Sequence, residues 1–143
     1  MTTIRQILVQ KPDVYSVDPD ATVLDALKLL GEKNVGALLV MKGERLVGIF
    51  SERDYARRMI LHGRSSRETV VREVMTTEVF TIPPEATAGE CMAHMTDRHI
   101  RHLPVLEGAR VVGVISIGDI VRAVMEDMRF TIRQLESYIR SGG

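Results

Sequence analysis

Ser51 and Asp54 stand three residues apart, as do Ser116 and Asp119, and each pair follows a short apolar run that opens on glycine, Gly48-Ile49-Phe50 and Gly113-Val114-Ile115. At the start of a helix, Ser-x-x-Asp is a capping box. The hydroxyl accepts from the amide three residues on, and the carboxylate reaches back to the serine. The same geometry can do chemistry. A strand that runs into a helix presents free amides and the positive end of the helix dipole, which suits a phosphate. Serine adds a hydroxyl, and an ionised aspartate can accept from both hydroxyls of a ribose. For one isolated pair both readings stay open, because such boxes are common.

The pair is not isolated. Residues 16–57 laid over residues 81–122 match at one constant shift of 65. Pro19, Ala21 and Thr22 meet Pro84, Ala86 and Thr87. Leu38, Val40, Gly43, Arg45, Val47 and Gly48 meet Leu103, Val105, Gly108, Arg110, Val112 and Gly113, and Ser51, Asp54 and Arg57 meet Ser116, Asp119 and Arg122. Two copies imply pseudo-twofold symmetry, and symmetry makes paired clefts where polar residues of both copies converge.

Each copy must position its box with the same elements. In the first, Thr3–Val9 reads as a short helix ended by Lys11-Pro12, and Tyr15–Val17 as a short extended stretch. Thr22 caps a helix with Val23, Leu24, Leu27 and Leu30 at helical spacing, closed by Asn34 and Gly36. Ala37–Met41 and Leu46–Phe50 form a buried hairpin around Lys42-Gly43, and Ser51 starts a helix through Tyr55, Ala56 and Met59. The second copy reads as a lead-in over Val71–Met75, a strand at Phe80-Thr81-Ile82, a helix over Thr87–Arg98, a hairpin over Leu103–Ile115 and a helix from Gly118 to about Met128. A tail follows with Ile132, Leu135 and Ile139 on one stripe. About 60 residues bury little alone, which favours one core shared by both hairpins.

Composition narrows the function classes. The 143 residues are 45% apolar and 27% charged with zero formal net charge, which is ordinary globular composition. Nothing draws the chain toward nucleic acid or an anionic membrane, and no apolar run reaches the roughly 18 residues of a membrane span. The first residues lack a signal peptide's apolar stretch, and one cysteine, Cys91, allows no intrachain disulfide; both point to the cytoplasm.

The duplicated pattern resembles a tandem pair of CBS domains, the cystathionine β-synthase modules that together form a Bateman module. Gly48-Ile49-Phe50-Ser51-Glu52-Arg53-Asp54 and Gly113-Val114-Ile115-Ser116-Ile117-Gly118-Asp119 match the family's Gly-h-x-Ser/Thr-x-x-Asp signature, where h is apolar. Val17-Asp18-Pro19, Ile82-Pro83-Pro84 and Arg101-His102-Leu103-Pro104-Val105 add to the match. The resemblance implies an α+β fold of two pseudo-twofold-related units, residues 3–65 and 70–128, with 129–143 as a helical tail. It implies a regulatory sensor of an adenine nucleotide, AMP first, with the aspartate on the ribose.

Carried over residue by residue, one cleft combines Tyr15, Val35, Gly36 and Ala37 with Arg101, Val114, Ser116, Gly118 and Asp119. The other combines Phe80, Ile100, Arg101 and His102 with Ile49, Ser51, Arg53 and Asp54. Tyr15 and Phe80 are equivalent in the repeat and well placed to flank a base, or else to pack at a strand end. Gly48 and Gly113 leave room for a nucleoside against the strand. Arg53 supplies a cation where the equivalent Gly118 supplies none, so the Ser51/Asp54 cleft is expected to take the more highly charged ligand. The resemblance also implies a homodimer, to which the tail stripe can add, and a downstream protein target. A dinucleotide such as NAD(H), S-adenosylmethionine, or a dimerisation module without ligand are the alternatives.

Other constellations carry less. His94 and His99 are about 140° apart on a predicted helix, and neither they nor His102 complete a metal-ligand set. Arg53, Arg57, Arg58, Arg64 and Arg67, interrupted by acids, read as a solvated helix face and linker. Met92, Met95, Met125 and Met128 read as core or dimer surface. With no nucleophile signature, phosphate-binding Gly-rich loop or paired carboxylates, and no base beside Cys91, the chain reads as a non-enzyme.

Overall fold

The computed structural model describes residues 1–11 and 13–142. Pro12, read above as part of a helix stop, and the final Gly143 lie outside the described residues.

The first copy begins with α1 (Ile4–Val9), opened by a complete capping box between Thr3 and Gln6. After β1 (Ser16–Val17) comes α2 (Val23–Lys33), capped by the Thr22 hydroxyl and closed by Asn34 at φ 54°. Asparagine tolerates that left-handed backbone because its short polar side chain bonds locally. The hairpin of β2 (Ala37–Lys42) and β3 (Arg45–Ser51) turns through Gly43 at φ 62°. β1 lies parallel to β2 on the outer side, which gives a three-stranded sheet in the order β1-β2-β3.

The helix after Ser51 differs from its expected form. A single turn, α3 (Glu52–Asp54), widens into a π-helical stretch over Tyr55–Met59 and closes as a 3-10 turn over Ile60–His62. This irregular run still delivers Met59 fully into the core. A 3-10 turn at Val71–Glu73 leads into the second copy. The strand expected at Phe80–Ile82 shrinks to one parallel bridge, Ile82 to Val105. Then α4 (Ala88–Arg98) repeats α2 down to its cap, with His99 at φ 54° where the first copy has Asn34. β4 (His102–Glu107) and β5 (Arg110–Ser116) repeat the hairpin, and Gly108 repeats its turn at φ 64°. Finally α5 (Ile117–Arg140) runs as one helix through the expected break near Met128, so the tail is its continuation.

Two cores form rather than the single shared one expected, and each is completed by the other copy's lead-in. Val23, Ala26, Leu30, Leu38, Val40, Phe50 and Met59 pack with Val71 and Val74 from the segment before the second copy. Cys91, Met95, Leu103, Val105, Ile115, Ile120 and Ala123 pack with Ile4 from α1. The exchange is stitched by backbone. Ile4 N–H donates to Ala86 O at 2.9 Å and Ala88 N–H to Thr2 O at 2.8 Å, while Val71 N–H donates to Ala21 O at 2.8 Å. A half of this size gains by borrowing apolar side chains, and each fully buried Ile or Val contributes about 1.5–3 kcal/mol.

This exchange also explains two glycines. A Cβ on Gly113 would lie 2.5 Å from Leu8 Cδ2, and one on Gly48 would lie 2.6 Å from Met75 Sδ and 2.9 Å from Thr76 O. The space beside each signature strand, expected to admit a nucleoside, is filled by the lead-in segments.

Candidate functional site

Both boxes form where β3 and β5 end. The Ser51 amide donates to Asp54 Oδ2 at 2.9 Å, its hydroxyl donates to the same oxygen at 3.1 Å, and Asp54 N–H donates back to Ser51 Oγ at 3.2 Å. The Ser116 amide and hydroxyl each lie 2.9 Å from Asp119 Oδ2, with the return bond at 3.3 Å. Each hydroxyl proton is thus directed into the box. Both aspartates are 8% exposed.

The boxes differ in what else meets the carboxylate. Asp54 Oδ1 accepts from the Thr76 hydroxyl at 3.0 Å, with Arg58 at 3.9 Å. Asp119 Oδ2 accepts from the Lys11 ammonium at 2.6 Å, and Lys11 also reaches Val114 O at 3.4 Å. Arg122 lies 3.5 Å from Asp119 Oδ1. Burial alone would push the Asp119 carboxyl up. The Lys11 ammonium and the Ser116 amide and hydroxyl more than reverse this and hold it below its usual range. Lys11 and Thr76 are equivalent under the 65-residue shift. Residue-type matching misses them because they share no side-chain chemistry, and extending the shift five residues toward the N-terminus aligns the pair without any sign that either meets an aspartate.

Lys11 adds a charge that the contrast between Arg53 and Gly118 leaves out. The Ser116/Asp119 cleft does hold a cation, while the Arg53 guanidinium donates to His99 O at 2.7 Å, beside the Ile100–His102 segment expected to share its cleft. Gly118 is open: among the described residues, Ser116 Oγ at 3.7 Å is the one side-chain atom near an added Cβ.

The remaining predicted residues fall in three places. Gly36 and Arg101 occupy matched positions, their carbonyls accepting from Glu52 N–H at 3.0 Å and Ile117 N–H at 2.8 Å, while Ala37 and His102 pair with Ser51 and Ser116 in the hairpins. The resemblance groups His102 with the Ser51 cleft. Its imidazole lies 3.2 Å from where a Gly36 Cβ would be, a point that is also 3.1 Å from Glu52 Oε1, and it shares the field of Lys11, Asp119 and Arg101. Burial lowers its pKa, Lys11 and Arg101 lower it further, and Asp119 opposes them. Ile49 pairs across β2 and β3 and also bridges Thr76, while Val114 faces Pro104 in the second hairpin. Val35 and Ile100 are half-buried, packed against the first and second cores.

Tyr15 and Phe80 carry a matched feature that the sequence reading did not anticipate. Lys33 Nζ lies 5.3 Å from the Tyr15 ring centroid, and Arg98 lies 4.0 Å from that of Phe80. Lys33 and Arg98 are themselves equivalent, so each ring already has a cation from a helix end over it. Tyr15 also packs on the first core, whereas Phe80 is 45% exposed.

Elsewhere, Arg58 donates to the Val74 and Met75 carbonyls, so part of the basic stretch anchors the exchanged lead-in. Cys91 is buried, its thiol pushed up to about 11 by burial. Among the described residues no His/Cys/Asp/Glu group is arranged to hold a metal, and no helix is long and apolar enough to cross a membrane.

The duplicated strand-box-helix arrangement coincides with a known family model. The CBS domain matches twice, over residues 4–61 and 71–126. The chain belongs to the CBS domain family. A CBS domain-containing protein of Arabidopsis thaliana, CBSX3, mitochondrial, is 46% identical over 128 residues, covering 86% of this chain and 62% of that protein. The chain thus spans under two thirds of that relative's length. The CBS domain-containing protein YhcV of Bacillus subtilis is 34% identical, covering 75% of this chain and 76% of that one. Among solved structures, a protein with CBS domains from Burkholderia ambifaria is 47% identical with a TM-score of 0.84, covering 88% of this chain and 96% of that one. The α+β architecture of two CBS units is therefore that of the family.

Proposed function

We propose that this CBS pair is a regulatory, non-catalytic sensor that binds an adenine nucleotide, AMP first, in the clefts between its repeats. The observation that carries this reading is the duplicated box, two buried carboxylates at equivalent strand-helix junctions, one of them held ionised by Lys11. An ionised carboxylate is an acceptor for paired ribose hydroxyls, and Lys11, Arg101 and Arg122 gather positive charge on the Ser116/Asp119 side for a phosphate. Ligand binding would shift a conformational balance by its differential affinity for two shapes, and a protein target would read the result. A homodimer, acting in a reducing compartment such as the cytoplasm, completes the proposal.

A specific observation favours a second reading, a structural module without ligand. Both serine hydroxyls, both aspartates and the space beside both glycines are already taken by the chain's own groups.

Calorimetric titration of AMP, ATP and NAD(H) separates the two. The sensor reading expects AMP binding that weakens at least tenfold in Asp119→Ala or Asp54→Ala. It also expects a stability gain of about 2.7 kcal/mol at a ligand concentration of 100 Kd. No heat and no thermal shift with any adenine compound would establish the structural module instead.

A further inference from the structure

Along α5, the side chains Val121, Met125, Met128, Ile132, Leu135 and Ile139 recur at intervals of four, three, four, three and four residues. All six are exposed, between 40% and 73%. At about 100° per residue they fall in a stripe about 80° wide, the a/d seam of a coiled coil. The stripe points away from Ile120 and Ala123, which pack on the second core. The inner contacts of the helix end at Asp127, which accepts from the Thr2 amide at 3.0 Å and the Thr2 hydroxyl at 2.7 Å. Beyond it, residues 129–140 form about three turns in which every side chain is exposed. Three turns of helix draw little stability from propensity alone, so packing against a partner is the natural source of their order.

We propose that this face of α5 packs antiparallel against the same face of a second copy, which deepens the homodimer reading above and rests on it. The seam is complementary to itself only in certain layers. Antiparallel pairing places Val121 opposite Ile139, Met125 opposite Leu135 and Met128 opposite Ile132, each smaller or flexible side chain against a branched one. It also brings the two flanking rows face to face. Along one flank run Arg122, Arg129 and Glu136. Antiparallel chains then form Arg122–Glu136 twice across the axis, with a single like-charge meeting of the two Arg129 at the centre. In a parallel pair the opposing flank offers Val124 and Thr131, and no ion pair forms. Charge therefore selects the antiparallel arrangement. Each exposed tail is then covered by the part of the partner's α5 that sits on its folded body. Arg122, within 3.5 Å of Asp119, would join this interface to a cleft.

Disulfide trapping of full-length chains tests the arrangement. A bridge needs Cα atoms within about 7 Å, and the native Cys91 is buried and its thiol pushed up, so it stays out of the reaction. The double variant Met125→Cys, Leu135→Cys is expected to oxidise to a covalent dimer, while Met125→Cys, Leu135→Cys and Val121→Cys alone stay uncrosslinked. Cross-linking of the single variants would overturn the antiparallel seam in favour of a parallel one. A dimer by light scattering that no cysteine pair traps would refute the seam while leaving the homodimer standing. A monomer at high concentration would refute both. Leu135→Lys provides an independent check, with dimer dissociation at least tenfold easier and an unchanged melting temperature of the diluted monomer; an unchanged dimer affinity would also sink the seam.

Discussion

The Asp54 and Asp119 boxes are built alike to within a few tenths of an ångström, yet one is completed by a hydroxyl and the other by an ammonium. Thr76 and Lys11 reach their carboxylates from equivalent points on the two exchanged lead-ins. The backbone geometry repeated while the electrostatics diverged. A ribose arriving at Asp54 would compete with a neutral hydrogen bond. At Asp119 it would compete with an ion pair, although the cation would remain nearby for the phosphate. The two halves therefore share a scaffold and differ in what must move.

The largest expected contrast concerns the glycines under the exchanged segments. Gly48→Ala drives a methyl against the Thr76 backbone carbonyl as well as the Met75 sulfur, whereas for Gly113→Ala the three nearest atoms among the described residues all belong to the flexible end of Leu8. Overpacking of this kind costs about 1–3 kcal/mol, and Gly48→Ala belongs at the upper end with Gly113→Ala at the lower. Urea unfolding of the two variants measures the difference. Equal costs would mean that the lead-ins yield equally and that the halves are mechanically alike.

Acid sensitivity gives a smaller contrast. Asp119 titrates in the folded chain below its ordinary 3.8, so as pH falls the unfolded chain takes up its proton first. The stabilisation is complete above 3.8 and drains away as pH drops through the folded value. His102, with its pKa held below 6.5, acts in the same direction and begins to cost stability as pH falls below 6.5. Lys11→Met should narrow the Asp119 window and let the His102 pKa rise. Its cost near neutral pH should be no more than about 1 kcal/mol, because Lys11 is 37% exposed and screened. Melting curves from pH 3 to 8 read this out. A variant whose acid profile overlays the parent would remove Lys11 from the account.

Smallest is the effect of Gly118→Arg, which copies Arg53 into the second half. The site is open, so stability should stay within about 0.5 kcal/mol. If this position faces a phosphate, the variant should bind ATP more tightly relative to AMP, by a few fold in titration. An unchanged ratio would place the position outside phosphate reach.

Much was legible from the chain. Pro, Gly and Thr at a constant shift marked turns and caps, and these reappear as matched elements, down to Asn34 and His99 in the same left-handed cap. Both boxes were legible because they span three residues. Lys11 was not, because 108 residues separate it from Asp119. The Lys33–Tyr15 and Arg98–Phe80 contacts lay hidden for a related reason, since the end of each helix and the segment before that helix meet only after the chain folds back.

By itself, then, the sequence determined two repeats, their hairpins, their caps and a Ser-Asp box in each, all matters of local hydrogen bonding and of apolar period. Tertiary structure alone decided that each half would be completed by the other's lead-in, that two cores would form instead of one, and which group would stand on each aspartate. The reason is one of range. Local bonds are set by neighbours a few residues apart, whereas a half too small to bury its own core draws its last apolar contacts, and with them its charges, from wherever the chain returns.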